Sequence, residues 1–484
     1  MLFNSIHFLI FFPIVVFLYF KLSHKYRWIL LLIISYYFYM SWKPEYAILL
    51  LISTVIDYAA GIQITKSTTQ IRKKIFLWIS IISNFGMLFA FKYFTFFNES
   101  LREVLKLISI DFSPLTLKVL LPVGISFYTF QTLSYTIEVY RGKINAERHF
   151  GIYAVYVTFF PQLVAGPIER AANLLPQFFK ENKFEYQRAV DGLKLMLWGF
   201  FKKIVIADRL AIFVNMVYNQ PFEYTGVQLI LATVFFGFQI YCDFSGYSDI
   251  AIGSAQVMGY SLMDNFKRPY FSKSIAEFWR RWHISLSTWF KDYLYIPLGG
   301  NKLSVKRTYI NTFVVFLISG LWHGANWTFV IWGALHGFYM VFAMWTKKIR
   351  KKFVEIIGLI KFPKFYKLVQ VAITFFLVTF AWIFFRANKM SDAIYVITHA
   401  FINLKTSFIE LFLTSSKLSR INVIICILMI LFMECVHLMQ RHTEMRKFLS
   451  SKATYLRWTI YILLIIAILI FGMFNKTEFI YFQF

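Results

Sequence analysis

Apolar runs of membrane-crossing length recur from one end of this chain to the other. They lie at about 5–20, 28–43, 47–64, 75–97, 118–138, 227–248, 308–322, 326–346, 367–386, 420–438 and 456–474. A helix needs about 20 apolar residues to cross the hydrocarbon core of a bilayer. Only helices and closed barrels can satisfy every backbone hydrogen bond in that medium. The pattern therefore predicts an all-α polytopic membrane protein. It reads as a single integral domain over 1–484, with N-terminal helices at 1–140, a core at 150–350, and C-terminal helices and tail at 351–484. Composition agrees, because 58% hydrophobic with 15% charged residues is too apolar for a soluble globular chain. The first run, Ile6 to Phe20, lacks a small-residue cleavage pattern and is expected to stay as a span.

The net charge of +27 raises the question of nucleic acid. The basic residues are instead scattered through short loops: Lys21, Lys25 and Arg27; Lys66, Arg72, Lys73 and Lys74; Arg141, Lys143 and Arg148. Alternate loops are poorer in them. The positive-inside rule then places those three loops in the cytoplasm and the N-terminus outside. The partner expected for this charge is the lipid bilayer or a phosphate-bearing substrate, not nucleic acid. Cys242, Cys426 and Cys435 have neither metal nor redox spacing, so no metal site is expected.

Three stretches break the simple pattern. TFFPQLVAGPIER carries two prolines and a glycine in an apolar segment, which predicts a broken or re-entrant piece lining a cavity. A helical region at about 190–218 contains the charged run Phe201 to Arg209. Phe266 to Gly300 is aromatic and basic but never apolar long enough to span, so interfacial helices on, or dipping into, the cytoplasmic face are expected there. The connection at about 387–419 is amphipathic and is expected along a membrane surface.

The chemistry concentrates between Tyr241 and Gly337, where His283, His323 and His336 lie. A titratable group at membrane depth is a functional candidate by default. His323 ends an apolar run beside Gly324, and a neutral imidazole there can take a proton from a nucleophile and return it to a leaving group. The plainer reading is a histidine bonded to a neighbouring helix, and residue types alone do not separate the two. Asn326 can orient that ring or start the next helix. On one unbroken helix His336 would stand roughly 20 Å beyond His323, which suits a packing or supporting role among small residues.

His283 sits in WRRWHISLSTW, where Arg280, Arg281 and Lys291 stand among an excess of bases. Such an element can grip the phosphates of a soluble acyl donor or anchor at a headgroup layer. Asp243, Ser245, Tyr247 and Asp249 alternate at the expected foot of a span, either as a polar funnel or as ion pairs with nearby arginines. Asp57 and Glu138 carry the same ion-pair expectation. The ending FIYFQF reads as an aromatic belt, and Tyr481 within it can also accept an acyl group through its phenolic oxygen. The chain has no nucleophile-elbow, Walker A, dinucleotide-binding or zinc-protease motif.

Seven blocks carry a family resemblance: LPVGISFYTFQTLSYTIEVYRG, FFPQLVAGPIER, FQIYCDFSGYSDIAIG, NFKRPYFSKSIAEFWRRWHISLSTWFKDYLYIPLGG, GLWHGANWTFVIWGALHG, AWIFFRA and FIYFQF. Together they resemble the membrane-bound O-acyltransferase family, in its bacterial alginate and peptidoglycan O-acetyltransferase branch. The resemblance implies a ring of about 10–13 transmembrane helices plus interfacial helices around a central funnel, in the cytoplasmic (inner) membrane. It implies His323 as the family's histidine and His283 as its second, more variable polar position. By the same resemblance acetyl-CoA is the donor substrate, no cofactor is bound, and Tyr481 is a possible acyl relay. It also implies a periplasmic or extracellular SGNH-like partner that acetylates a polysaccharide. The D-alanyl-transferring branch shares the WHxSLS core, but YIPLGGN and FIYFQF look more like the acetyl-transferring branch. A transporter is the competing class; it is disfavoured because the helix interruptions have no mirrored counterpart in the other half of the chain.

Overall fold

The computed structural model describes residues 1–113, 122–164, 166–414, 417–441, 445–474 and 479–482. Among them every regular element is helical. Among the described residues, seven helices are long and apolar enough to cross a membrane: Tyr46–Lys66, Gln70–Leu107, Val227–Met258, Trp327–Trp345, Pro363–Arg386, Arg420–Met439 and Thr454–Phe471. The shorter apolar helix Ile6–Lys21 opens the chain. The protein is thus an all-α, multi-pass membrane protein. Contacts divide it into two compact units, one of Met1–Met196 with Ser248–Met263, the other of Leu197–Tyr247 with Asp264–Gln483.

In the first unit the helices start where capping chemistry dictates. The Ser5 hydroxyl accepts the Phe8 N–H at 3.2 Å, and the Thr69 hydroxyl accepts that of Arg72 at 3.4 Å. The start of the expected 118–138 span lies outside the described residues. The Ile125–Tyr140 helix follows Gly124, which takes a left-handed conformation (φ 76°). The break expected in TFFPQLVAGPIER is present. Phe159 leaves the helical region between Phe150–Thr158 and Phe160–Leu163, and Pro161 falls in the first turn of the latter, where its missing N–H leaves no helical bond unmade. The ion pair expected at Asp57 is not what forms. Its carboxylate accepts from Ser80, from the Asn84 amide at 2.8 Å and from Thr136 at 3.4 Å. Neutral donors on neighbouring spans satisfy it, with no need for a second desolvated charge.

In the second unit the expected 308–322 and 326–346 spans form a tight hairpin, Val305–His323 and Trp327–Trp345. A Cβ added at Gly320 would fall 2.3 Å from the Phe329 carbonyl oxygen, and one at Gly333 would fall 2.4 Å from that of Phe316. Glycine at both positions lets the backbones touch, the usual device where no hydrophobic force drives helices together. The Asn326 side chain caps the second helix by accepting the Thr328 N–H at 3.0 Å, and it ties the turn to the Asn388 carbonyl at 3.1 Å. The unbroken helix considered for His323 and His336 is therefore replaced by a turn.

One further expectation changes. Val227–Met258 runs ten residues past the expected end, so Asp243 and Ser245 lie inside a helix and not at its foot. No proline interrupts it, and Gly246 serves packing, since a Cβ there would fall 2.8 Å from the Gly199 carbonyl oxygen. Phe266 to Gly300 forms short helices, as expected of a segment too polar to span, and much of its aromatic surface is turned inward. Phe278, Trp279, Trp282, Trp289 and Phe290 are buried, with Phe278 stacked on Trp282 at 5.4 Å.

Candidate active site

His323 is the last residue of the Val305–His323 helix, and the hairpin decides where its ring goes. The chain leaves extended through Gly324, where a Cβ would strike the Phe329 ring at 2.2 Å. The imidazole is 3% exposed and enclosed by aromatic rings. Trp332 stands at 5.0 Å between ring centres, Trp322 at 5.0 Å and Phe385 at 5.3 Å, all steeply inclined to it. The Tyr481 ring closes the set at 5.6 Å.

His283 reaches the same cluster from a different element. Its backbone is left-handed (φ 43°, ψ 56°), a conformation that costs a non-glycine residue about 1–2 kcal/mol. Asn265 holds it there. The Asn265 carbonyl accepts the Ile284 N–H at 3.0 Å, and its side-chain oxygen accepts the Ser285 N–H at 3.2 Å and the Ser285 hydroxyl at 3.0 Å. That oxygen lies 3.2 Å from His283 Nδ1. Because the backbone N–H of Ser285 requires an acceptor, the atom is oxygen, and Nδ1 carries the proton. Nε2 is then the nitrogen able to accept one. Burial pushes the His283 imidazole down to about 3, so the ring is neutral near pH 7.

Phe244 joins these elements. Its ring centre is 4.6 Å from that of His283 and 4.7 Å from that of Tyr481. His283 and Tyr481 are 6.4 Å apart and nearly perpendicular. Tyr481 is stacked on Phe479 at 5.5 Å, and Phe479 rests on Tyr247 at 4.5 Å. Burial, then the Asp243 carboxylate, push the Tyr481 phenol well above its ordinary value.

Asp243 forms a buried ion pair, but with a lysine and not with an arginine of the 266–300 segment. Lys203 Nζ lies 2.7 Å from Asp243 Oδ1 and 2.7 Å from Asp208 Oδ1. Burial alone would lower the Lys203 ammonium, and the two carboxylates override it and hold it above its ordinary value. Asp243 Oδ2 accepts the Ile480 N–H at 2.8 Å. Ser245 accepts from Lys202 Nζ at 3.0 Å.

The structure thus brings His283, His323, Tyr481 and Asp243 together and leaves other candidates apart. His336 is one layer away: Trp332 stands between it and His323, with ring centres 4.9 and 5.0 Å from them. Trp279 donates to its Nδ1 at 3.2 Å. Asn326 caps the hairpin. Arg280 and Lys291 are exposed, and Arg281 pairs with Glu277 at 2.6 Å. Sequence reasoning passed over Lys203 and Asp208, whose signal was two lysines and an aspartate in an otherwise apolar helical run. It also missed Asn265 and the aromatic wall of Phe244, Trp332 and Phe385.

Residues 38–387 match the family model described as MBOAT, membrane-bound O-acyltransferase family. The chain belongs to this family. His283, His323 and His336 lie inside the matched residues, and Tyr481 lies beyond them. The chain is 40% identical to the probable alginate O-acetylase AlgI of Pseudomonas aeruginosa, over 81% of this chain and 73% of that protein. It is 35% identical to the peptidoglycan O-acetyltransferase of Helicobacter pylori, over 71% and 68%. The teichoic acid D-alanyltransferase of Bacillus subtilis is 30% identical over 47% and 60%. This membrane-bound O-acyltransferase is an enzyme, which sets aside the transporter reading.

Proposed function

We propose that this enzyme passes an acetyl group from cytoplasmic acetyl-CoA across the cytoplasmic membrane for O-acetylation of an extracytoplasmic polysaccharide, such as alginate or peptidoglycan, with His323 as general base. The supporting observation is the buried His323 ring with the Tyr481 ring 5.6 Å away, in a pocket walled by aromatic side chains. Acyl transfer from a thioester needs a base where water is excluded, because hydrolysis competes. The names of the AlgI and peptidoglycan O-acetyltransferase relatives favour acetyl over D-alanyl transfer.

Tyr481 is the relay in this reading. The phenolic oxygen adds to the thioester carbonyl carbon while His323 takes its proton. The C–S bond breaks, the thiolate of CoA leaves and recovers the proton from the imidazolium, and an acetyl ester remains on Tyr481. A hydroxyl of an SGNH-like partner outside the membrane then attacks that ester, His323 again moves the proton, and the phenol is restored. The raised phenol holds its proton, so removal by His323 has to be concerted with attack on the carbonyl carbon. The exposed Arg280 and Lys291 supply charge for the donor's phosphates.

The test uses purified enzyme in nanodiscs with radiolabelled acetyl-CoA and a polysaccharide-acetylating partner. His323→Ala is expected to lower acetyl transfer roughly 100- to 10,000-fold while the protein still inserts and folds. Wild-type transfer by that variant would overturn the base assignment. Intact acetyl-CoA beside consumption of a D-alanyl thioester would move the enzyme to the D-alanyl branch.

A further inference from the structure

Among the described residues beyond Phe471, two backbone hydrogen bonds, from Met473 and from Ile480, lead back to one irregular turn. Phe201–Ala207 is a π-helical turn between the helices Tyr186–Phe200 and Asp208–Asn219. In it the Asp208 N–H donates to the Lys203 carbonyl and not to that of Ile204. The Ile204 carbonyl accepts the Met473 N–H at 3.0 Å. Two residues past the turn, Arg209 donates to the Phe471 carbonyl at 2.7 Å and to Asn422 at 2.9 Å. The second bond leads through Lys203, whose ammonium holds Asp243, whose other oxygen accepts the Ile480 N–H. π-helical turns are rare and gather at functional sites.

We infer that the buried Lys203–Asp243–Asp208 network is a positioning device that latches the C-terminal segment so that Tyr481 stands against His323. This rests on the reading that Tyr481 takes part in transfer. Three desolvated charges in one place are expensive and are seldom kept for stability alone. Here the charge has a specific consequence. An ionised carboxylate is a stronger acceptor than a neutral one, and the bond it makes to the Ile480 N–H fixes the residue next to Tyr481. Lys203 acts through Asp243: its ammonium sits 2.7 Å from one oxygen of the carboxylate whose other oxygen accepts the Ile480 N–H. Asp208 acts one step further back by holding Lys203. The latch therefore predicts an order of effect, with Asp243 first, Lys203 next and Asp208 last. A purely structural role predicts no such order at the Ile480 amide.

The experiment measures amide hydrogen exchange of the peptide containing Ile480, by mass spectrometry, on the full chain in nanodiscs. Acetyl-CoA turnover with a polysaccharide-acetylating partner is followed in parallel. Asp243→Asn and Lys203→Met are each expected to speed exchange at that peptide at least about tenfold, with a smaller effect for Asp208→Asn. The kcat is expected to fall by a similar factor, with the KM for acetyl-CoA unchanged. The double variant Lys203→Met/Asp243→Leu removes the buried charge without leaving a lone ion, so it keeps the question open to measurement if the single variants misfold. Its tail peptide is expected to exchange as fast as that of Asp243→Asn. Unchanged exchange in the folded variants would overturn the latch. Faster exchange with unchanged transfer would leave the latch standing and remove Tyr481 from the reaction.

Discussion

Tyr481 and His283 show how much one atom or one backbone angle decides in this site. Tyr481→Phe keeps the ring against Phe244 and His323 and removes only the phenolic oxygen. It is expected to abolish protein-bound acetyl label and to lower polysaccharide acetylation about 100-fold or more, with donor hydrolysis nearly unchanged. Unaltered acetylation in that variant would remove the relay. His283 makes a prediction about pH. Its folded imidazole titrates at about 3 and its unfolded one at 6.5, so the unfolded chain binds the extra proton. The stability it contributes is complete above pH 6.5 and is lost as pH falls toward 3. Between pH 7 and pH 5 the loss is about 2 kcal/mol. His283→Asn is expected to show a smaller drop in thermal midpoint over that range than the wild type. An identical drop would mean that His283 is not buried as a neutral ring. Its presence in the site was legible from WRRWHISLS; its left-handed backbone and its bond to Asn265 were not, because both depend on the fold around Asn265.

At the scale of elements, the hairpin Val305–His323 and Trp327–Trp345 carries the candidate base, and its geometry rests on glycine. Gly320→Val would drive a side chain into the Phe329 carbonyl, which is backbone and cannot swing away. Overpacking of this kind typically costs about 1–3 kcal/mol. The thermal midpoint is expected to fall by several degrees, and turnover to fall with it, since His323 lies three residues on. Gly86 is the contrast: nothing lies within 4 Å of a Cβ there, and it sits inside the Gln70–Leu88 helix. Gly86→Ala is expected to leave turnover unchanged and to raise stability by up to about 1 kcal/mol. Equal effects of the two substitutions would show that close approach at Gly320 does not matter. The glycines and the GANW turn were visible in the sequence. That they make a hairpin, with Trp332 between His323 and His336, came from packing between the two helices.

For the whole molecule, the prediction concerns sidedness. The basic loops at 21–27, 66–74 and 141–148 are expected in the cytoplasm and the N-terminus outside, because lysine and arginine resist translocation. The relay also requires Tyr481 to reach the outer side. Single cysteines introduced at Lys25, Lys73 and Lys143 are expected to resist a membrane-impermeant thiol reagent in intact cells and to react after permeabilisation. Labelling of those sites in intact cells would invert the topology and with it the proposed direction of transfer. The sequence alone determined the class and the seven helices long and apolar enough to span, and it singled out His323 as a candidate. Those follow from the length of apolar runs and from residue types within a few positions of each other, which the bilayer and local chemistry select directly. The tertiary structure alone decided that Asp57 is met by neutral donors, that Asp243 takes Lys203, forty residues away, in place of an arginine, and that Phe479 to Tyr481 pack against Phe244 and His323. A desolvated charge takes the partner that packing places within reach, and linear spacing does not encode which partner that is.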